Sequence, residues 1–310
     1  MLQRKAGTPA GPRRITIFKR ELPLYLMLIP GVVFAFIFCY LPMFGLVMAF
    51  QNYSPLRSFS GSEWVGLKNF QAMLALPTFW TVVRNTLVIA SIKIVLRLLV
   101  PLIIALLLNE VVSKGFKRTA QTVFFLPYFL SWAVMGGILR ELFEYDGTIN
   151  ALLQSMGADS IMFLGSNTWF PMIIIVSDVW KDMGYNMIIF LAAITNVDPA
   201  LNESASLDGA NRWDQTWHIT LPTIRPIIVM MMVLALGSVL SAGQEQIMLL
   251  YNPMVYESSD IIDTLVYRTG LVNHQWSLSA AVGMMKSVIS FLLVALSYRL
   301  ASKHFDYQVF

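Results

Sequence analysis

Two like-charged pairs of opposite sign stand out in a chain otherwise poor in charge. Lys93 and Arg97 are four residues apart, as are Asp178 and Asp182. On helices each pair projects from one face, so the opposite signs can meet between two helices. All four lie within long apolar runs, as do Lys181 and Lys286. A charge near a bilayer centre costs about 2.5 to 3.5 kcal/mol on insertion scales, so such groups face protein or a water-filled path. Such pairing is one use of this spacing; a structural salt-bridge set or snorkelling to an interface is at least as good a reading as a role along a solute path. Carboxylate catalysis has little support, because Asp178 and Asp182 share one segment without a complementary histidine or metal motif. The one cysteine, Cys39, excludes an intramolecular disulfide framework. The three histidines lack ligand-like spacing, so no metal site is expected. No Gly-x-x-x-x-Gly-Lys-[Ser/Thr] loop occurs, so the chain lacks the cradle that holds ATP phosphates.

The elements that carry these residues follow from composition. Of 310 residues 56% are apolar and 13% charged, and the mean hydropathy is +0.63, which marks an integral membrane protein. A hydrocarbon core about 30 Å thick takes about 20 apolar residues as helix. Six stretches qualify, at 22–50, 82–108, 122–143, 169–194, 222–242 and 278–300. The expected fold is all-α, with six transmembrane helices spanning 22–310 after a basic tail at 1–21. The tail and first run imitate a secretory signal, but the run is too long and no small-residue cleavage site follows, so it reads as a retained helix.

Lysine and arginine gather on the side that stays cytoplasmic. With the amino terminus inside, that side holds Arg4, Lys5, Arg13, Arg14, Lys19, Arg20, Lys114, Lys117, Arg118, Arg212, Arg299 and Lys303, against Arg57, Lys68 and Arg268 outside. Both termini are expected in the cytoplasm, and the formal charge of +4 reports topology, not nucleic-acid binding. Segments 51–81, 144–168 and 243–277 then lie outside. In the first of these Trp64, Val65, Leu67, Phe70, Met73 and Leu74 suit an amphipathic helix at the membrane surface, either an anchor or a docking face.

Inside, only 195–221 is long enough for a structured contact. Asp198 and Pro199 read as N-cap and first helical residue, and Gly209 can stop that helix by adopting positive φ. Ala210, Trp213, Trp217 and Leu221 then recur at three- and four-residue spacing, giving a second piece with one apolar face. An amphipathic connector on the membrane surface would show the same periodicity.

The order of residues is more specific than the periodicity. Glu203, Ala205, Asp208, Gly209, Ala210, Ile219, Leu221 and Pro222 resemble, in order and spacing, the EAA loop of binding-protein-dependent ABC importer permeases. Ser204 and Trp217 depart from the usual alanine and phenylalanine while keeping a helix-compatible surface. Leu28-Ile-Pro30-Gly31, Tyr40-Leu-Pro42-Met-Phe-Gly45, Ala49-Phe50-Gln-Asn-Tyr53, Trp64-Val-Gly66-Leu-Lys-Asn69-Phe70 and Trp180-Lys181-Asp-Met-Gly184-Tyr185 are similar to the LplB-like oligosaccharide permeases, so the likeness covers nearly the whole chain.

The resemblance implies a MalF/MalG-like subunit in the bacterial cytoplasmic (inner) membrane. It would pair with a second, related permease and two ATP-binding subunits that hold ATP and Mg, and import a saccharide brought by an extracytoplasmic solute-binding protein. This chain itself would bind no cofactor and be no enzyme. Glu203, Ala205, Asp208, Gly209, Ala210, Trp217, Leu221 and Pro222 are the expected ATPase-coupling surface. Saccharide recognition needs aromatic faces and amide or carboxylate groups in a protein-lined cavity. Trp132, Trp180, Tyr185, Asn186, Gln244 and Glu245 have that chemistry, although tryptophan and tyrosine also mark membrane interfaces. An ion-gradient-driven secondary transporter of a polar solute is the alternative, and it would call for internal repeats that the sequence does not clearly show.

Overall fold

The computed structural model describes residues 14–237 and 242–305. The greater part of the expected tail, 1–21, and the end of the expected fifth span lie outside them. Helix α1 (Arg14–Ala35) continues through a π turn (Phe36–Tyr40) and a 3-10 stretch (Leu41–Phe50). A two-stranded antiparallel hairpin, β1 (Gln51–Asn52) and β2 (Glu63–Trp64), encloses α2 (Ser58–Gly61). After α3 (Lys68–Leu74), the long α4 (Phe79–Glu110) leads to α5 (Lys114–Phe125), α6 (Trp132–Phe143) and α7 (Thr148–Ser155). Helix α8 (Trp169–Thr195) packs along α4. The chain then forms α9 (Pro199–Leu207), α10 (Arg212–Gln215), a π turn (Thr216–Thr220) and α11 (Leu221–Gly237). Three short helices, α12 (Gln244–Leu250), α13 (Tyr256–Ser259) and α14 (Ile262–Tyr267), precede the final α15 (Trp276–Phe305).

Among the described residues, Glu21–Phe50, Phe79–Glu110, Arg212–Leu236 and Trp276–Leu296 are long and apolar enough to cross a membrane. A fifth span results if Lys114–Phe129 and Trp132–Ser155, bent by 103°, count as one. The expected third span, 122–143, is therefore not one continuous helix. Pro127 lacks an N–H and crowds the carbonyl four residues back. The chain tightens to a 3-10 turn (Leu126–Phe129), extends at Leu130 and restarts at Ser131, whose Oγ caps Val134 N at 3.3 Å. The expected fourth span is α8, of 27 residues. It is long enough to cross, but Asp178, Lys181 and Asp182 interrupt its middle.

Two of the π turns have a common cause. Pro42 and Pro222 would each clash with the carbonyl four residues earlier, Phe38 and His218. Both carbonyls fall inside a π turn, Phe36–Tyr40 and Thr216–Thr220. The widened turn takes up the missing hydrogen bond without breaking the rod.

Packing between the long helices relies on close approach, since lipid is as apolar as a leucine side chain. Gly184 on α8 is the tightest point: a β-carbon there would overlap the Phe124 carbonyl and lie 2.5 Å from Phe125 Cα. On one side of it Phe190, Met187 and Leu191 meet Leu102 and Ala105 of α4 and Ile224 of α11. On the other, Phe170 and Ile174 meet Ile89 of α4, Met135 of α6 and Ile247 of α12. The end of the first span is fastened by its following loop. Val65 N donates to the Phe50 carbonyl (2.9 Å), and Asn69 Nδ2 donates to the carbonyls of Ala49 (3.0 Å) and Gln51 (2.9 Å). Gly66 makes the turn at φ +57°.

Candidate functional site

The two charge pairs converge where α4 crosses α8. Asp178, fully buried, receives Arg97 Nε at 2.6 Å and Nη2 at 2.8 Å, and Lys93 Nζ at 3.2 Å. Arg97 Nη2 also lies 2.8 Å from Asp182 Oδ2. Lys93 donates further to the Ala242 carbonyl (2.9 Å) and to Gln246 Oε1 (2.7 Å). Gln246 in turn donates to the Ile174 carbonyl and to Ser177 Oγ, both at 2.8 Å. The knot thus ties α12 to both long helices, with every buried charge hydrogen-bonded, as a low-dielectric site requires. Gly243 takes φ +87° and α12 begins there.

This arrangement divides the residues expected after the fifth span. Starting a helix at Gly243 turns Gln246, Ile247 and Leu250 inward, while Gln244 and Glu245 are exposed and outside the knot. Gln246 is a site residue that composition alone does not single out. Its signal is helical register, three residues after a glycine and in phase with Ile247 and Leu250.

The knot is sealed on one side and open on the other. The side chains of Lys93 and Asp178 are 5% and 0% exposed, those of Arg97 and Asp182 31% and 26%. The open side borders a cavity of about 340 Å³ lined by Arg97, Asp182, Asn186, Tyr185 and Tyr128, and by Met231 and Leu234 of α11. Tyr128 and Tyr185 stack at 4.9 Å with 11° between planes. Asn186 Nδ2 donates to the Arg97 carbonyl at 3.3 Å. Lys181 Nζ donates to the Tyr128 carbonyl (3.0 Å) and lies 5.5 Å and 5.6 Å from the ring centres of Tyr128 and Trp132. Trp132 therefore supports Lys181, while Trp180 borders a separate, apolar cavity of about 360 Å³. Tyr128, brought to the site by the break after α5, was not singled out in the sequence.

The 195–221 loop is two short helices joined at a glycine. Asp198 Oδ1 accepts from Ala200 N at 2.9 Å with Pro199 at the first helical position, so α9 starts as its residues dictate. It ends where Gly209 reaches φ +85° and Ala210 N donates to the Ala205 carbonyl at 2.9 Å. Asn211 and Asp214 form a reciprocal capping box on α10. Buried Gln215 donates to Ser206 Oγ (2.8 Å) and to the Ala210 carbonyl (3.1 Å), fixing the angle between the pieces. Glu203, Asp208, Gly209, Trp217 and Pro222 are exposed, while Ala205, Ala210 and Leu221 are half-buried. Leu207, 90% exposed, crowns the turn. Trp213 and Trp217 stack at 5.9 Å along the second piece.

Segment 243–277 is bound to the bundle by polar contacts. Thr86 Oγ1 on α4 accepts from Ile262 N (2.9 Å), and Asn85 Nδ2 donates to the carbonyls of Glu257 and Asp260. Asp260 pairs with Arg268, which covers the Tyr256 ring at 4.4 Å. Lys286 of α15 pairs with Asp263. Burial, then the neighbouring Tyr256, pushes the Tyr251 phenol up to about 12, so it stays a neutral hydroxyl.

A helical membrane chain with a buried ionic knot, a polar cavity and a loop of two capped helices has the parts of a transport component. Residues 97–305 match the family described as binding-protein-dependent transport system inner membrane component, and the chain belongs to it. It is a transport permease, not an enzyme. It is 43% identical over 281 residues to the polygalacturonan/rhamnogalacturonan transport system permease protein YteP of Bacillus subtilis, covering 90% of this chain and 88% of that one. Protein LplB of the same organism is 42% identical over 291 residues, covering 94% and 91%. A crystal structure of a bacterial ABC transporter that imports the acidic polysaccharide alginate contains a chain of 35% identity and TM-score 0.88, covering 95% of this chain and all of that one. A second structure of the bacterial alginate transporter, in complex with an alginate pentasaccharide-bound periplasmic protein, gives TM-score 0.86 at 35% identity over 94% and 98%.

Proposed function

We propose that this chain forms half of the membrane pathway of an ATP-driven importer for a sugar or oligosaccharide. A second related permease forms the other half, two separate subunits bind ATP and Mg, and an extracytoplasmic binding protein delivers the cargo. The observation that carries this reading is the likeness, over nearly the whole chain, to a chain of the alginate importer. The name of YteP, a polygalacturonan/rhamnogalacturonan transport system permease protein, favours a saccharide cargo.

Within that assembly the chain crosses the membrane six times, with the bent α5–α6 pair and the charged α8 as the third and fourth spans. Both termini, the 1–21 tail and the 195–221 loop lie in the cytoplasm, a topology supported by the excess of lysine and arginine on that side. The loop is the coupling lever. Its two ends run into α8 and α11, and the exposed Glu203 is free for a charge-assisted contact with the motor subunit. Nucleotide binding there shifts the inward/outward equilibrium through contacts that differ between the two states. Reconstituting the chain with candidate partners and following uptake of a saccharide panel tests the reading. Uptake that requires ATP, the binding protein and all subunits is expected, whereas uphill uptake by this chain alone contradicts it.

A further inference from the structure

The open half of the ionic knot has the composition of a ligand site. Arg97 and Asp182 lie near the middles of α4 and α8, where a charge facing lipid is costly. The cavity they border therefore opens toward protein or a water-filled path. Asp178 is saturated by Lys93 and Arg97 deep in the knot, so the inner half is structural. The outer half differs: Asp182 meets Arg97 only at Nη2, which already donates to Asp178, and both groups stay partly exposed. Beside them stand an amide, Asn186, and a tyrosine pair in which Tyr185 is 45% exposed.

Charge also favours an anion. Lys93, Arg97 and Lys181 gather around Asp178 and Asp182, leaving one positive charge in excess, and among the described residues Lys181 forms no salt bridge. With apolar Met231 and Leu234 also in the lining, this excess is poorly screened and raises the local concentration of anions.

We propose that this cavity is a subsite for acidic sugar units, in which a uronate carboxylate takes the place of Asp182 on the outer edge of Arg97 while the ring lies on Tyr185. Asn186 meets a ring hydroxyl. Asp182 is the resident competitor that keeps Arg97 oriented when the site is empty and limits how tightly cargo is held. The assignment rests on the saccharide-import reading above and adds to it the class of sugar and the residues that read its charge.

The test uses the complete transporter in proteoliposomes, with one binding protein in every arm. Uptake of a galacturonate trimer is compared with that of its carboxyl-reduced, neutral counterpart. Arg97→Lys keeps the charge but removes the Nη2 group that reaches past Asp178 to the outer site, and should lower the uronate-to-neutral uptake ratio by about tenfold. Asp182→Asn, removing the competitor, should shift the ratio the opposite way through a lower KM for the uronate, and Tyr185→Leu should raise KM for both sugars. A purely structural knot would impair both sugars alike in Arg97→Lys and Asp182→Asn. A ratio unmoved by these two variants overturns the subsite while leaving saccharide import standing, and absence of ATP-driven uptake of every saccharide overturns both.

Discussion

Gly243 stands against the ammonium of Lys93: a β-carbon at position 243 would lie 2.5 Å from Lys93 Nζ and 3.1 Å from Gln246 Oε1. The glycine is required twice, by its φ of +87° and by the cation beneath it. Gly243→Ala should therefore lift α12 off the knot and lower the thermal stability of the purified transporter by several degrees. Adding Lys93→Met should not restore it, because the left-handed backbone remains and Gln246 loses its donor.

The two acids should respond unequally. Asp178→Asn removes the partner of two cations at a fully buried position, a change that costs about 3 to 5 kcal/mol in buried pairs. Little assembled transporter should be recovered from membranes. Asp182 is partly exposed and shares one donor of Arg97, so Asp182→Asn should cost about 1 kcal/mol or less and assemble normally. Size-exclusion yields of the two variants, measured side by side, decide this.

Gly184→Ala should be as damaging as many larger core changes. The added methyl meets backbone of α5, which cannot rotate away as a side chain can. Overpacking of this kind costs about 1 to 3 kcal/mol. The expected readout is a lower apparent melting temperature in detergent, with Gly137→Ala, where nothing lies within 4 Å, as the unaffected comparison.

At Gly209 space is open, so only the backbone objects. Gly209→Val should strain the left-handed turn by roughly 1 to 2 kcal/mol, whereas Gly209→Asn, a residue that tolerates this region, should be milder. Membrane insertion should be normal in both. Transport per ATP hydrolysed should fall in the valine variant and be nearly retained in the asparagine one.

The parts legible in the sequence were those set by local rules. Asp198 with Pro199, and Gly209, placed the ends of α9 because capping and positive φ depend on a few adjacent residues. The four-residue spacing of Lys93/Arg97 and of Asp178/Asp182 gave the two facing surfaces. Apolar length alone was a poorer guide. It joined 122–143 across Pro127, where the chain bends, because an apolar run carries no record of its direction. Gln246 and Tyr128 were passed over because their importance comes from neighbours more than fifty residues away: Lys93 and Ser177 for one, Lys181 and Tyr185 for the other. Trp180 and Glu245 had suitable chemistry but lie on faces that the packing turns elsewhere.

The lever role of the 195–221 loop is tested most directly by crosslinking. In a background with Cys39 replaced by serine, Leu207→Cys places one thiol at the most prominent point of the turn. A short bifunctional reagent should join it to an ATP-binding subunit, with a yield that changes between nucleotide-free and ATP-bound transporter, and the join should stop uptake. Full ATP-driven uptake with no crosslink to either ATPase subunit in any nucleotide state would contradict the account.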